Sequence, residues 1–174
     1  MLDATIKYPK AAGHFYRAIA QPDVQWKMHQ IQDLSDYILK TLTVVQSGLE
    51  IFKCDQPDGR QISTYLDNII TNLHYGRSSV MLPKKKSISE LQENRINKCF
   101  NPALPPDLLL SFYISSAKLI CAAYHVQNLG AAGRSFNVYQ GECVVTWLHE
   151  IMTYVNSALQ LCQQLRDKAK KSKL

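Results

Sequence analysis

The stretch from Cys143 to Asp167, CVVTWLHEIMTYVNSALQLCQQLRD, carries the strongest periodic signal in the chain. Its apolar residues recur at alternating steps of four and three, the spacing of one helical face. Trp147, Tyr154 and Leu161, spaced at seven, widen this face. The spacing predicts a long amphipathic helix that needs partner helices to bury its face. The predicted seam consists of Val144, Leu148, Ile151, Val155, Ala158, Cys162 and Leu165.

A leucine zipper is not supported by this seam, because Leu148 and Leu165 are its only leucines. The mixed side chains favour packing within the chain. The periodicity indicates a scaffold and does not say what the scaffold does.

Length and composition are those of a soluble globular protein with one domain, or one domain and a small appendage. The chain has 174 residues, 46% of them hydrophobic and 20% charged. No apolar run is long enough to span a bilayer, and the first ten residues lack the apolar core of a signal peptide. Five widely spaced cysteines, an odd number, indicate reduced thiols. We therefore expect a cytoplasmic protein.

The net charge of +6 is concentrated in two short runs, Lys84 to Lys86 and residues 166–174. The rest of the chain is nearly neutral. Such runs are more often solvated loops and tails than binding faces, because nucleic-acid binders usually cluster basic residues along one face. A basic-tailed protein that binds nucleic acid or an anionic membrane remains the alternative interpretation.

Residues 1–22 show the alternation of β-strands. Residues 4–8 and 14–19 alternate in polarity and end near Pro9 and Pro22, which predicts a hairpin or a sheet edge. Two strands alone are marginal in water. Only residues 134–141, RSFNVYQG, are a candidate for a third strand.

From Asp23 onward the period becomes helical. Asp23 is the predicted N-cap of a helix that ends near residues 48–52, and a polar turn at 54–59 precedes a second helix that ends at Gly76. Residues 77–86 are predicted to form a loop. Ser87 and Glu90 have capping-box spacing and predict a short helix.

Residues 106–127 are apolar nearly all round, after a stiff proline-rich entry at 101–107. A helix without a polar face is surrounded by other elements. This segment is therefore predicted to be a central helix packed against the 143–167 helix, and the turn 128–133 follows it. The scaffold interpretation depends on this pair of helices, which would leave no room for a reaction centre.

No constellation of residues predicts catalysis, a metal or a cofactor. His149-Glu150 lacks the second histidine of a zinc-protease motif, and Cys121 with His125 supplies only half a metal site. Residues 130–133, GAAG, lack a phosphate-binding lysine and the dinucleotide glycine spacing, and no GxSxG elbow is present. We expect no enzyme activity and predict no catalytic, cofactor-binding or metal-binding residue. The scattered carboxylates Asp33, Asp36, Asp67 and Glu150 are interpreted as solvated.

Four segments together resemble the Rogdi family in order and spacing. They are residues 25–33 (QWKMHQIQD), 100–109 (FNPALPPDLL), 142–148 (ECVVTWL) and 159–168 (LQLCQQLRDK). The resemblance implies an elongated antiparallel helical bundle with a small β domain and no catalytic activity. It also implies a role like that of the small subunit of the RAVE complex, which works with rabconnectin-type proteins in assembly of the vacuolar proton-pumping ATPase. The family is associated with neurons, synaptic vesicles and the nuclear envelope.

The fold class predicted from all this is mainly α, an elongated antiparallel helical bundle with a small, incomplete antiparallel β element. The β element comprises residues 1–22 and 134–141, and the bundle comprises 23–127 and 142–174. Relative to the family, the chain is expected to lack an N-terminal portion that supplies a bundle helix. An apolar strip left exposed on the bundle would then bind a protein partner or a second copy.

Overall fold

The computed structural model describes residues 3–21, 27–53, 59–93, 99–128 and 134–171. These residues form two compact units, one within 1–27, 84–113 and 119–143, the other within 28–83, 114–118 and 144–174. The elements in chain order are β1 (Asp3–Lys7), a 3-10 turn (Ala12–His14), β2 (Phe15–Ala20), α1 (His29–Ile51), α2 (Gly59–Met81), α3 (Ile88–Glu93), β3 (Phe100–Asn101), β4 (Leu108–Ser115), β5 (Lys118–Asn128), β6 (Arg134–Val144) and α4 (Thr146–Lys171).

The predicted mainly α fold is wrong. The described residues form two three-stranded antiparallel sheets, β1-β2-β3 and β4-β5-β6, as well as their helices. The error lies in residues 106–127, where the predicted central helix is the β4–β5 hairpin. The predicted packing of that helix against the 143–167 helix is therefore also wrong, and α4 packs against α2 instead.

The turn of this hairpin consists of Ser116 and Ala117, both with positive φ, 51° and 57°. Two consecutive positive φ values are typical of a type I′ turn, which matches the twist of the flanking strands. Asn and Gly usually fill these positions, so Ser-Ala gives no turn signal in the sequence. A continuous apolar run without a turn signal is typical of a buried helix as well as of a buried strand.

Both faces of the β4–β5 hairpin are buried within the first unit, which explains its lack of a polar face. Leu108, Leu110 and Ala123 pack into one core with residues of β1, β2 and β3. Leu109 and Tyr113 pack into a second core with Leu91 of α3 and further residues of β5. Alternate residues of a strand point to opposite faces, so strands covered on both sides are apolar throughout.

The predicted N-terminal hairpin is confirmed. β1 and β2 pair antiparallel, with Asp3 opposite Ile19 and Lys7 opposite Phe15. The third strand of this sheet is the short β3, which pairs Phe100 with Ala20. Residues 134–141 do form a strand, as predicted, but they lie in β6 of the other sheet.

In the second unit, α2 packs against both α1 and α4. The predicted helix ending near 48–52 is confirmed as α1, but α1 begins at His29, so the predicted helical state of residues 27 and 28 is wrong. Asp23, the predicted N-cap, lies outside the described residues. α2 continues to Met81, so the predicted end at Gly76 and the predicted loop over 77–81 are wrong. Gly76 is instead a site of close helix approach, where a Cβ atom would lie 3.2 Å from the Cβ of Tyr37.

A buried glutamine joins α1, α2 and the tip of the β4–β5 hairpin. The two hydrogens of the Gln30 side-chain NH2 are shared among the carbonyl oxygens of Ser79 (2.7 Å), Ile114 (2.8 Å) and Leu82 (3.0 Å), and the amide oxygen accepts from the Ile114 N–H at 2.7 Å. The Ser79 hydroxyl lies 2.7 Å from the Gly76 carbonyl and 3.1 Å from the Gln30 carbonyl, and these two share its one hydrogen. These bonds satisfy backbone groups at the end of α2 and in β4 that would otherwise be buried without partners.

The capping box predicted at Ser87 is confirmed. The Ser87 N–H donates to the Glu90 carboxylate at 2.7 Å, and the Glu90 N–H donates to the Ser87 hydroxyl at 3.3 Å. Of the helices in the described part of the chain, none has the length and hydropathy that crossing a membrane requires.

Replacing Gln30 with Leu should lower the free energy of unfolding by about 2–4 kcal/mol, because several buried backbone groups lose their partners. Gln32→Leu is the matched control, since the Gln32 side chain is exposed and donates to the exposed Asp36 carboxylate. Urea denaturation followed by circular dichroism measures both variants. Equal effects would contradict the assigned role of Gln30.

Candidate interaction surface

α4 carries two adjacent apolar faces, and only one of them is covered. Leu148, Met152, Val155 and Leu159 are buried on the side that packs against α2. The predicted seam is therefore partly right. Leu148 and Val155 are buried as expected, whereas Leu165 is 54% exposed.

The second face is exposed and is called here the α4 strip. Its members are Trp147, Ile151, Tyr154, Ala158, Leu161 and Leu165. They follow steps of four and three, so they lie on one line along the helix. Tyr154 is 75% exposed and Leu161 is 60% exposed, while Ile151 and Ala158 are half-buried. The strip is about 27 Å long at the rise of an α-helix.

Polar contacts fix the C-terminal part of α4 beside α2. Arg166 Nη1 donates to Asp67 Oδ1 at 3.0 Å. Tyr65 of α2 donates to the Val45 carbonyl of α1 at 3.4 Å, and burial, with a smaller contribution from nearby Cys162 of α4, raises the pKa of Tyr65. The strip therefore belongs to a helix that contacts α2 through its buried face and through the Arg166–Asp67 pair.

The first unit contains a polar cluster formed by the buried Tyr8 and His125, the partly buried Asp107 and the exposed Lys10. The Tyr8 hydroxyl donates to Asp107 Oδ1 at 2.8 Å, and Lys10 Nζ donates to Asp107 Oδ2 at 2.5 Å. His125 Nε2 lies 3.3 Å from Asp107 Oδ2, and its ring packs edge-on against Tyr8. The cluster ties the end of β1 to the start of β4 and to β5.

Burial acts to raise the pKa of Asp107, but the hydrogen bonds from Lys10 and Tyr8 outweigh burial and lower the pKa to about 2. Burial and the bond to Asp107 raise the pKa of Tyr8 to about 12. Neither group changes charge near neutral pH. Acid or base catalysis works best with a pKa near the operating pH. The pKa values of Asp107 and Tyr8 therefore favour a role in stabilising the fold over a role in catalysis.

The two histidine pairings considered from sequence have ordinary surroundings. His149 is exposed on α4. Cys121 and His125 lie on strand β5, where a separation of four residues corresponds to about 13 Å, too far to share a metal ion. Burial raises the pKa of the Cys121 thiol to about 11, so it stays protonated. Residues 130–133 lie outside the described part of the chain.

Within residues 3–21, 27–53, 59–93, 99–128 and 134–171, no three His, Cys, Asp or Glu side chains group as metal ligands. The carboxylates interpreted as solvated are partly engaged, since Asp67 pairs with Arg166 and Asp36 accepts from Gln32 at 2.8 Å. Sequence reasoning missed the Asp107 cluster, because its members are distant in the chain and only the tertiary fold brings them together.

Described residues of the first unit line two grooves of note. The larger, of about 720 Å³, is lined by Lys85, Lys86, Ser87, Ile88, Tyr124, Phe136, Val138 and Gln140. The smaller, of about 450 Å³, is lined by Gln92, the proline-rich residues 103–106, Leu108 and Leu109. The larger groove combines aromatic and cationic side chains, a composition that suits binding of an acidic partner.

Comparison with known proteins places the chain in a family. Residues 2–137 match the family described as Rogdi leucine zipper containing protein. The chain belongs to the Rogdi family. Protein rogdi homolog of Caenorhabditis elegans is 35% identical over 173 residues, which cover 94% of this chain and 59% of the relative. Protein rogdi of Drosophila melanogaster is 34% identical over 166 residues, 95% of this chain and 61% of the relative.

The vertebrate relatives are more distant. Protein rogdi homolog of Homo sapiens is 27% identical over 192 residues, covering 95% of this chain and 66% of the relative. The chain spans about six-tenths of the length of the two invertebrate Rogdi proteins. The names of these relatives denote no enzymatic activity. The family resemblance inferred from the four segments is thus confirmed.

The Asp107 cluster should make the free energy of unfolding depend on pH in the acid range. An Asp with an ordinary pKa of 3.8 when unfolded and about 2 when folded contributes stability above about pH 4, and that contribution is lost as pH falls towards 2. We expect Asp107→Asn to lower the free energy of unfolding at pH 7 by about 1–2 kcal/mol, since Lys10 is largely exposed and solvent screens the pair.

Urea denaturation between pH 2 and pH 7 measures this dependence. The difference between the original chain and Asp107→Asn should shrink as pH approaches 2. Asp36→Asn is the control, because Asp36 is exposed on α1. A difference that stays constant with pH would show that Asp107 acts without its charge.

Proposed function

We propose that this Rogdi-family chain is a non-enzymatic adaptor that binds partner proteins through the α4 strip. The exposed strip is the observation that carries the proposal, because Trp147, Tyr154, Leu161 and Leu165 are at least half exposed and keep the spacing by which one helix packs against another. Family membership and relatives with non-enzymatic names support it. The scaffold interpretation from the sequence depended on a pair of helices at 106–127 and 143–167. Residues 106–127 form a β-hairpin, so that expected pair gives the adaptor proposal no support.

The occupant of the strip is an amphipathic helix of a partner protein. Heptad spacing lets side chains of a second helix fit between those of the first over several turns. Trp and Tyr, both present in the strip, are residue types enriched in binding hot spots. A strip about 27 Å long and one helix wide offers about 300 Å², well below the roughly 800 Å² per partner of standard interfaces, so a contact through the strip alone would be weak and transient whichever chain supplies the second helix.

The family resemblance supplies the identity of the proposed partners. We infer that they are rabconnectin-like subunits of a RAVE-type complex, and that the complex assists assembly of the vacuolar proton-pumping ATPase. We expect the protein in the cytoplasm of neurons, and association with synaptic vesicles or the nuclear envelope is part of the same proposal.

Binding of nucleic acid or an anionic membrane through the basic tail is less favoured. Lys168, Lys170 and Lys171 lie in the last turn of α4, where cations stabilise the helix C-terminus through its dipole. Their positions therefore have a structural explanation that needs no ligand.

The α4 strip is tested by the double variant Tyr154→Glu/Leu161→Glu. We expect at least a tenfold loss of rabconnectin-like and proton-pump subunits co-purified from neural tissue, quantified by mass spectrometry, because two carboxylates would be buried in the interface. Circular dichroism should be unchanged, since both residues are exposed. Asn156→Glu/Gln160→Glu, on exposed polar positions of α4, is the matched control.

Retention of these partners by both variants would contradict the role of the strip. Light scattering tests the other possible occupant of the strip, a second copy of the chain. A dimer that the strip variant converts to a monomer would assign the strip to self-association.

The proposed cellular role predicts a defect in organelle acidification after loss of the protein. A ratiometric pH indicator in synaptic vesicles measures the lumen, which should become less acidic, and the original chain should restore it. Normal acidification would argue against the role in pump assembly.

A further inference from the structure

The 720 Å³ groove of the first unit is independent of the α4 strip and has a different chemistry. One wall belongs to strand β6, whose Phe136, Val138 and Gln140 point into it. These are alternate residues, so they share one face of the strand. Phe136 is 51% exposed and packs edge-on against Tyr124 of β5, with ring centroids 6.3 Å apart.

The opposite wall carries the lysine run before α3. Lys85 Nζ lies 5.9 Å from the centre of the Tyr113 ring. Gln140 donates from its side-chain amide to the Tyr113 hydroxyl at 3.1 Å, which links β6 to β4. The cation is thus placed over aromatic side chains, where an incoming carboxylate would meet both charge and apolar surface.

The carboxylate of Glu90 lies near this wall. It accepts hydrogen bonds from the Ser87 N–H and hydroxyl at 2.7 Å each, and these bonds, with nearby Lys86, lower its pKa. Glu90 is therefore engaged in the helix cap. Lys85 and Lys86 line the groove itself, so this wall presents two positive charges to an incoming ligand.

Strand β6 is also the edge of its sheet. Among the described strands it pairs with β5 alone, and it is 11 residues long. An edge strand presents main-chain donors and acceptors to which an extended peptide can add as a further strand. The groove beside β6 would then receive alternate side chains of such a peptide.

We propose that β6 and the adjoining groove bind an extended segment of a partner protein in which acidic and apolar residues alternate. The segment adds to the edge of β6, its apolar side chains contact Phe136 and Val138, and its carboxylates pair with Lys85 and Lys86. Two features argue for this occupant. They are the two lysines of the groove and the position of β6, which forms one wall of the groove and is the edge strand of its sheet among the described strands.

The probe is the acetylated, amidated heptapeptide Glu-Val-Glu-Phe-Glu-Val-Glu, titrated into the ¹⁵N-labelled full chain. Main-chain bonds supply much of the affinity in strand addition, so we expect millimolar or tighter binding with amide shifts over residues 135–141. Lys85→Glu/Lys86→Glu should weaken binding at least tenfold. Lys168→Glu/Lys171→Glu, the same charge change on α4, should change it less than twofold.

A second pair of variants tests the strand edge. Neighbouring residues of an edge strand direct their N–H groups to opposite sides, so one of Asn137→Pro and Val138→Pro removes only an outward donor. The variant that keeps the original circular dichroism spectrum should lose the β6 shifts.

Three results would overturn the proposal. The first is the absence of β6 shifts at millimolar probe, and the second is equal binding of the peptide with Lys in place of Glu. The third is tighter, salt-steep binding of a heptameric oligouridylate at the same residues, which would assign the groove to single-stranded nucleic acid.

Discussion

Burial of the β4–β5 hairpin on both faces is the constraint on which the structure depends. One face packs with the sheet β1-β2-β3 and the other with α3, so these strands form the shared layer between two cores. Fully buried side chains such as Leu108 and Leu110 each contribute about 1.5–3 kcal/mol as an upper estimate. A polar residue on either face would need a partner inside a core, which explains the composition of the segment.

The tip of the same hairpin requires polar partners, because it ends among helices. Gln30 supplies them, since its one amide group bonds the backbone of Ile114 as well as the end of α2. The Ser116 N–H donates to the Met81 carbonyl at 3.0 Å, so the end of α2 and the turn satisfy each other. Backbone groups at the hairpin tip and at the end of α2 thus hydrogen-bond one another and are not buried without partners.

The two proposed binding surfaces use different physical means. The α4 strip offers apolar side chains at helical spacing and suits a helix, whereas β6 offers a strand edge with cationic and aromatic side chains beside it. The Asp107 cluster, with pKa values far from neutrality, stabilises the first unit and contributes to neither surface.

The sequence by itself determined the long helices α1 and α4, the N-terminal hairpin, the Ser87 capping box and the family, because periodicity, caps and distinctive segments are local properties. Only the tertiary structure decided that residues 108–128 form strands. Burial on both faces removes the alternation of polar and apolar residues, and Ser116-Ala117 is not a sequence typical of a hairpin turn. The tertiary structure also decided which apolar face of α4 is covered. Both faces have helical spacing in the sequence, and only the position of α2 leaves Tyr154 and Leu161 exposed while Met152 and Leu159 are buried.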